Sequence, residues 1–141
     1  MLRTKSSKVN ISKLNPRLLQ FAEDMSNKFN GIVITSANDS VHMVGSRHYI
    51  NKALDFGAFS SDRKAYADFK KYVLSNKEQL KQQYNLEDII DETTHIHIEM
   101  PLTDVEQVKI KKTKKNVVFG IALIGVSLGI VYYIIKKTKT Q

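Results

Sequence analysis

Two histidines at alternate positions, together with a histidine seven residues before an aspartate, have the types and spacing of a metal site. His95 and His97 lie in the segment HIHIEM (95–100), and His48 precedes Asp55. On a β-strand, side chains two residues apart lie on the same face, so both imidazoles would point to one side and the intervening isoleucines to the other. The chain contains no cysteine, so a transition-metal site must use histidine and carboxylate ligands. Either pair alone is a weak signal, and a hydrogen-bonded polar cluster is the alternative interpretation.

The sequence around His48 resembles the zinc D-alanyl-D-alanine peptidases. In that family a Ser-x-His-x-x-Gly-x-Ala-x-Asp run supplies two metal ligands, and a later His-x-His strand supplies the third. The stretch ITSANDSVHMVGSRHYINKALD matches the run with Ser46, His48, Asn51, Ala53 and Asp55. The region is also similar to the amino-terminal domain of hedgehog proteins, which shares the fold, and the resemblance covers residues 12–100.

The resemblance implies that His48, Asp55 and His97 bind zinc. It places His95 beside the metal as a polar or proton-handling residue, and Asp91 at the position of the acidic base. Two neutral imidazoles and one carboxylate leave the fourth tetrahedral position of zinc open to water, as in catalytic sites. Zinc lowers the pKa of that water to about 7, and a nearby carboxylate can take its proton as hydroxide attacks a carbonyl.

Four further residues have candidate roles around this site. Glu92 is the second candidate for the base, and a cationic His95 would stabilise the oxyanion. Ser46 would orient a ligand from outside the metal's own ligand shell. His42 is interpreted as a loop histidine, with the wall of the cleft as its alternative position, and Arg47 is a candidate substrate contact.

Two positions depart from the peptidase pattern. Asn51 stands where the family has glycine, which suits a backbone with positive φ because asparagine adopts this conformation more readily than most residues. Asp39 stands where the peptidases have the arginine that steadies the scissile carbonyl. Arg47 would compensate for that arginine only if its side chain reaches the cleft.

The elements that must position these residues follow from the periodicity of the apolar side chains. NPRLLQFAEDMSNKF (15–29) predicts a helix, because asparagine can cap it and apolar residues recur every three or four positions. A second helix is predicted over 60–84, strands over 31–36, 53–56 and 95–100, and a loop over 37–47. This mixture predicts an α+β fold in which helices pack on a small, mostly antiparallel sheet.

The C-terminal segment VVFGIALIGVSLGIVYYII (117–135) predicts a single transmembrane helix. A helix of this length spans roughly 28 Å, about the thickness of a bilayer's hydrocarbon core. Gly125 and Gly129 have the GxxxG spacing of paired membrane helices. A buried core helix is the alternative, which the size of the domain disfavours. The expected organisation is a zinc peptidase-like domain over 1–100, a basic juxtamembrane linker over 101–116, the membrane helix over 117–135 and a basic tail over 136–141.

The net charge of +8 comes from the lysines that flank this segment. Residues 1–108 contain 14 basic and 14 acidic side chains. A neutral domain does not fit nucleic-acid binding, which depends on contacts with phosphates. The N-terminal residues lack the apolar core of a secretory signal, so the domain is expected on the cytoplasmic side.

The sequence therefore predicts a membrane-anchored, zinc-dependent peptidase that hydrolyses peptidoglycan peptides. By analogy, such a protein suits a bacteriophage and is expected in the host inner membrane or an internal virion membrane. The alternative is a catalytically inactive, zinc-stabilised binding module tethered to a membrane. An acidic base near His95, and an arginine that faces the zinc, distinguish the two hypotheses.

Overall fold

The computed structural model describes residues 2–39, 41–114 and 117. The chain divides into two units, residues 1–102 and residues 103–141. The first unit is α+β, as the sequence predicts, and it contains all the buried hydrophobic side chains of the described residues, so it has a core of its own. Its elements are α1 (Pro16–Lys28), β1 (Ile32–Ser36), a first 3₁₀ turn (Arg47–Ile50), β2 (Ala53–Ala58), a second 3₁₀ turn (Ser60–Asp62), α2 (Arg63–Ser75), α3 (Lys77–Tyr84), β3 (Asp88–Asp91) and β4 (Ile96–Glu99).

The four strands form one antiparallel sheet in the order β1-β2-β4-β3. β2 and β4 are therefore the inner strands, and Asp55 lies directly opposite His97 in their register. The alternation predicted for β4 is confirmed, because Ile96 and Ile98 belong to the hydrophobic core whereas His97 lies on the other face. The sheet thus separates an apolar face from a face that carries polar groups at its centre.

The helices cover the apolar face. Phe56 of β2 contacts Phe21 of α1 and Phe69 of α2, with ring centroids 6.0 and 5.0 Å apart. Tyr84 of α3 packs against Phe21 at 5.1 Å. α1 begins where the sequence predicts, since the side chain of Asn15 accepts a hydrogen bond from a backbone N–H of the first turn.

Three segments differ from the prediction. The helix expected over 60–84 is interrupted at Asn76, whose side chain donates a hydrogen bond to the carbonyl of Tyr72 at 2.8 Å. Asparagine competes with helical hydrogen bonding in this way. Strand β3 was not predicted, and residues 104–114 of the expected linker are helical.

The predicted membrane span over 117–135, its two glycines and the basic tail lie outside the described residues, apart from Val117. Within the part of the chain that the structure describes, no helix combines the length and the apolar character needed to cross a membrane.

Candidate metal centre

Asp55 and His97 meet at the centre of the polar face of the sheet. Their strands are hydrogen-bonded neighbours, and His97 Nδ1 lies 2.6 Å from Asp55 Oδ1. Both side chains are buried. A β-bulge in β1 lies beside them, where the register shifts between Ile34 and Ser36 and Thr35 donates a hydrogen bond to the carbonyl of Asp55 at 3.3 Å. Bulges of this kind redirect side chains next to functional sites.

The first 3₁₀ turn brings His48 to the same place. Ser46 begins the turn, with its hydroxyl accepting a hydrogen bond from the backbone N–H of His48 at 3.3 Å. Asn51 ends the turn at φ 59°, the positive φ that suits asparagine at the glycine position of the peptidase pattern. His48 Nε2 lies 3.4 Å from both His97 Nδ1 and Asp55 Oδ1.

Two of the three separations within this group fit a tetrahedral metal ion. Zinc–nitrogen bonds of 2.0–2.1 Å place neighbouring tetrahedral donors about 3.3–3.4 Å apart. The two distances from His48 Nε2 have this value. The 2.6 Å separation of His97 and Asp55 is that of a charge-assisted hydrogen bond, so metal binding requires the loss of the proton they share. His48, Asp55 and His97 therefore form a buried group that could hold a metal ion.

Hydrogen bonds on the outer side of each imidazole fix which nitrogen faces the centre. His48 donates its Nδ1–H to the carbonyl of Ala37 at 2.8 Å, so its Nε2 faces the centre of the group. His97 Nε2 lies 3.1 Å from Glu99 Oε1. Metal-bound histidines commonly donate their second ring N–H to a carbonyl or carboxylate, as both do here. Glu99 was not predicted from the sequence, although it lies two residues after His97 and so on the same face of the strand.

The electrostatics of the group favour an ion pair in the absence of metal. Burial alone would lower the pKa of His97, but its hydrogen bonds to Asp55 and Glu99 raise that pKa to about 9. Burial would raise the pKa of Asp55, and the hydrogen bonds from His48 and His97 reverse this effect and lower it. Without a metal ion, the carboxylate of Asp55 is thus paired with a proton on His97.

Two more predicted site residues lie beside this group. His95 Nε2 is 3.7 Å from Asp55 Oδ1 and 3.0 Å from Glu92 Oε2. Ring nitrogens of His95 and His97 and a carboxylate oxygen of Glu92 lie within 4.8 Å of one another. The side chain of Glu92 is 47% exposed and that of His95 26%, so this pair lies where the buried group approaches solvent.

Asp91 lies elsewhere. It is paired in register with Ile96, whose side chain is on the apolar face of the sheet, and its carboxylate binds Lys70 of α2 at 2.8 Å. This ion pair is the main reason why the pKa of Asp91 is lowered. The catalytic role of Asp91 stays a prediction, and its position on the helix-covered face does not favour it.

His42 contacts the group from the loop that follows β1. Its ring stacks on that of His48, with centroids 4.0 Å apart and planes at 1°, and its Nε2 lies 3.1 Å from the carbonyl oxygen of Ala37. Burial and the neighbouring His48 lower the pKa of His42. The predicted loop histidine therefore packs directly against a candidate ligand.

Arg47 and Asp39 are both held by contacts of their own. Arg47 binds Glu87 and Glu99 at 3.0 and 3.1 Å. Asp39 accepts hydrogen bonds from the backbone N–H of Ala37 and from the hydroxyl of Ser36. Arg47 is thus directed to the outer side of His97.

Comparison of the chain with models of protein families, with curated proteins and with solved structures finds no match. The function must therefore be inferred from the residues of the site itself.

Proposed function

We propose that this protein is a zinc-dependent peptidase that hydrolyses peptidoglycan peptides. One observation carries the proposal: three buried side chains come together in a group that could hold a metal ion, and the Glu92–His95 pair lies next to them at the solvent side. A closed structural site would have a fourth protein ligand instead of an acid–base pair at this place.

Each residue of the site has a separate role in the proposed hydrolysis. His48, Asp55 and His97 would hold the metal. Zinc would supply Lewis acidity, polarising a peptide carbonyl and lowering the pKa of water to about 7. Glu92 accepts a proton from the attacking water and returns it to the amine as the C–N bond breaks, so one water is consumed for each peptide bond. His95, whose Nε2 lies 3.0 Å from Glu92 Oε2, keeps that carboxylate at the site.

Peptidoglycan peptides are proposed as the substrate because of the resemblance around Ser46, His48 and Asp55 to the zinc D-alanyl-D-alanine peptidases. Glu92 is preferred to Asp91 as the base. A carboxylate that already binds a lysine on the other face of the sheet cannot reach a substrate at the metal.

A second candidate function is a zinc-stabilised binding module. It is favoured because Arg47 is held by other side chains and does not replace the arginine of the peptidases. That side chain binds Glu87 and Glu99, and Asp39 occupies the position where the peptidases have arginine. The loss of one group that stabilises the oxyanion costs on the order of a hundredfold or more in rate. The proposed peptidase is therefore slow.

The test is incubation of the zinc-loaded full chain, in detergent micelles, with purified peptidoglycan, followed by mass analysis of released peptides. The wild type and Asp91→Asn should both release peptides, and Glu92→Gln should release none while retaining its zinc. Activity in Glu92→Gln together with its loss in Asp91→Asn would reverse the two roles. If the zinc-loaded wild type releases nothing, the binding module is the correct function.

A further inference from the structure

Arg47 precedes a candidate ligand in the chain but extends to the end of a different strand. Its Nη1 lies 3.1 Å from Glu99 Oε2 and donates a hydrogen bond to the carbonyl of Met100 at 2.8 Å. Its Nη2 donates to Glu87 Oε1 at 3.0 Å. The side chain is only 16% exposed, so these three contacts fix a largely buried guanidinium.

Glu99 connects this guanidinium to the metal group. One carboxylate oxygen, Oε2, binds Arg47, and the other, Oε1, lies 3.1 Å from His97 Nε2. Since both oxygens have partners, the carboxylate has little freedom to rotate. The ring of His97 is thereby held with Nδ1 directed towards Asp55 and His48.

We propose that Arg47 is a positioning residue of the metal site, which acts through Glu99 to hold His97 in the orientation that binds a divalent transition-metal ion. The inference rests on the metal site of the proposed function and not on peptidase activity. A single 3₁₀ turn then supplies one ligand, His48, and the support for another, His97.

The geometry requires arginine at this position. A guanidinium presents several N–H donors in a fixed plane, whereas a lysine ammonium is a point charge on a flexible stem. The guanidinium of Arg47 binds two carboxylates and a backbone carbonyl at the same time. Lysine would retain the charge but would not reach all three partners together.

The experiment uses the full chain in detergent micelles after removal of bound metal. Zinc affinity is measured by competition with a chelator, and the absorption spectrum is recorded with Co²⁺ as a probe of ligand geometry. Arg47→Ala and Glu99→Gln should each weaken zinc binding about 10–100-fold, the usual effect of losing an outer partner of a ligand. Arg47→Lys should restore part of the affinity. Glu87→Gln is the matched control and should bind like the wild type, because glutamine keeps an oxygen that can accept from Arg47 and the backbone hydrogen bond from Glu87 to the carbonyl of Glu99 is unchanged.

The double variant Arg47→Ala/Glu99→Gln separates positioning from a general effect on stability. If Arg47 acts through Glu99, the double variant should bind zinc no more weakly than the weaker single variant. Additive losses, or wild-type affinity and cobalt spectrum in a folded Arg47→Ala chain, would overturn the inference. Glu99→Gln and Arg47→Lys keep the test decisive if Arg47→Ala does not fold. Weakened zinc binding in these variants, with no peptide release by the wild type, would remove the proposed peptidase and leave this inference standing.

Discussion

His97 can hold either a proton or a metal ion at Nδ1. In the metal-free chain both of its ring nitrogens face carboxylates, Asp55 at 2.6 Å and Glu99 at 3.1 Å, and its pKa is raised to about 9. A metal ion needs the deprotonated nitrogen. At neutral pH, zinc binding must therefore release a proton from this residue.

The first prediction concerns the pH dependence of stability without metal. The folded-state pKa of His97 lies above its ordinary value of 6.5, so its stabilising effect is complete below pH 6.5 and is lost as the pH rises through 9. The opposite shift of Asp55 stabilises above its ordinary pKa of 3.8 and is lost in acid. Thermal unfolding of the metal-free wild type should therefore show a decrease in stability between pH 6.5 and 9.

Zinc should reverse this trend, because ligand deprotonation favours the metal-bound form. The increase in melting temperature on adding zinc should grow from pH 6 to pH 8. The variant His97→Gln is the control, since glutamine does not titrate. If the metal-free His97→Gln variant lost as much stability between pH 6.5 and 9 as the wild type, other groups would be the cause of the pH dependence.

The second prediction distinguishes His97, which lies in β4, from His95, which directly precedes that strand. His97→Ala and His48→Ala should abolish stoichiometric zinc binding, as each removes one of three donors. His95→Ala should retain the metal and lose peptide release, because His95 contacts Glu92 and Asp55 from the side. Metal analysis of the purified variants checks their zinc content, and mass analysis of peptides released from peptidoglycan checks the activity of His95→Ala. Full zinc occupancy in His97→Ala would remove that residue from the ligand set.

At the residue scale, the resemblance to the zinc peptidases indicated the three donors, whereas the proposal of Glu92 instead of Asp91 as the base depends on the structure. The side chains of a strand alternate between faces, so a shift of one residue changes the face on which a carboxylate lies. The sequence did not reveal β3, and the last residue of that strand, Asp91, is on the apolar side. The distance of Glu92 from His95 depends on the turn that follows.

At the scale of elements, the pairing of β2 with β4 is what assembles the site. The strands that contain Asp55 and His97 were both predicted from the sequence pattern, but their adjacency in the order β1-β2-β4-β3 depends on contacts remote in sequence. β3 was missed because its four residues, DIID, include two adjacent isoleucines and show no clear alternation. The interruption at Asn76 was missed because the helical pattern of apolar residues continues across it.

The third prediction concerns the close contact between β1 and β2. A Cβ added at Gly57 would lie 2.7 Å from Cγ2 of Thr35, in the bulged part of β1 beside Asp55. Gly57→Ala should therefore destabilise the domain by about 1–3 kcal/mol, as other cases of overpacking do. Denaturant unfolding of residues 1–102 measures this change.

The matched variant for this contact is Thr35→Ser, which removes Cγ2 and keeps the hydroxyl that donates to the carbonyl of Asp55. The double variant Gly57→Ala/Thr35→Ser should recover part of the lost stability relative to Gly57→Ala alone. Purely additive effects would mean that the alanine is accommodated in some other way.

At the scale of the whole molecule, charge and apolar character are separated along the chain. Residues 1–108 are balanced in charge, and the excess of lysine lies in residues 109–115 and 136–139. Lysines at the ends of an apolar segment can extend to lipid headgroups. This distribution is the basis for predicting that the neutral domain is attached to a bilayer.

The fourth prediction is that the full chain partitions with membranes and that residues 1–116 do not. The nineteen residues 117–135 contain no charged side chain, and their length matches the hydrocarbon core of a bilayer. After expression in bacteria, the full chain should sediment with membranes and resist extraction by carbonate, whereas residues 1–116 should stay in the supernatant. Val126→Arg supplies a graded control, because a central arginine disfavours insertion by about 2.5–3.5 kcal/mol on the insertion scale, so part of this variant should become extractable. Release of the wild-type chain by carbonate would mean that residues 117–135 associate with the membrane, or with other protein, without spanning it.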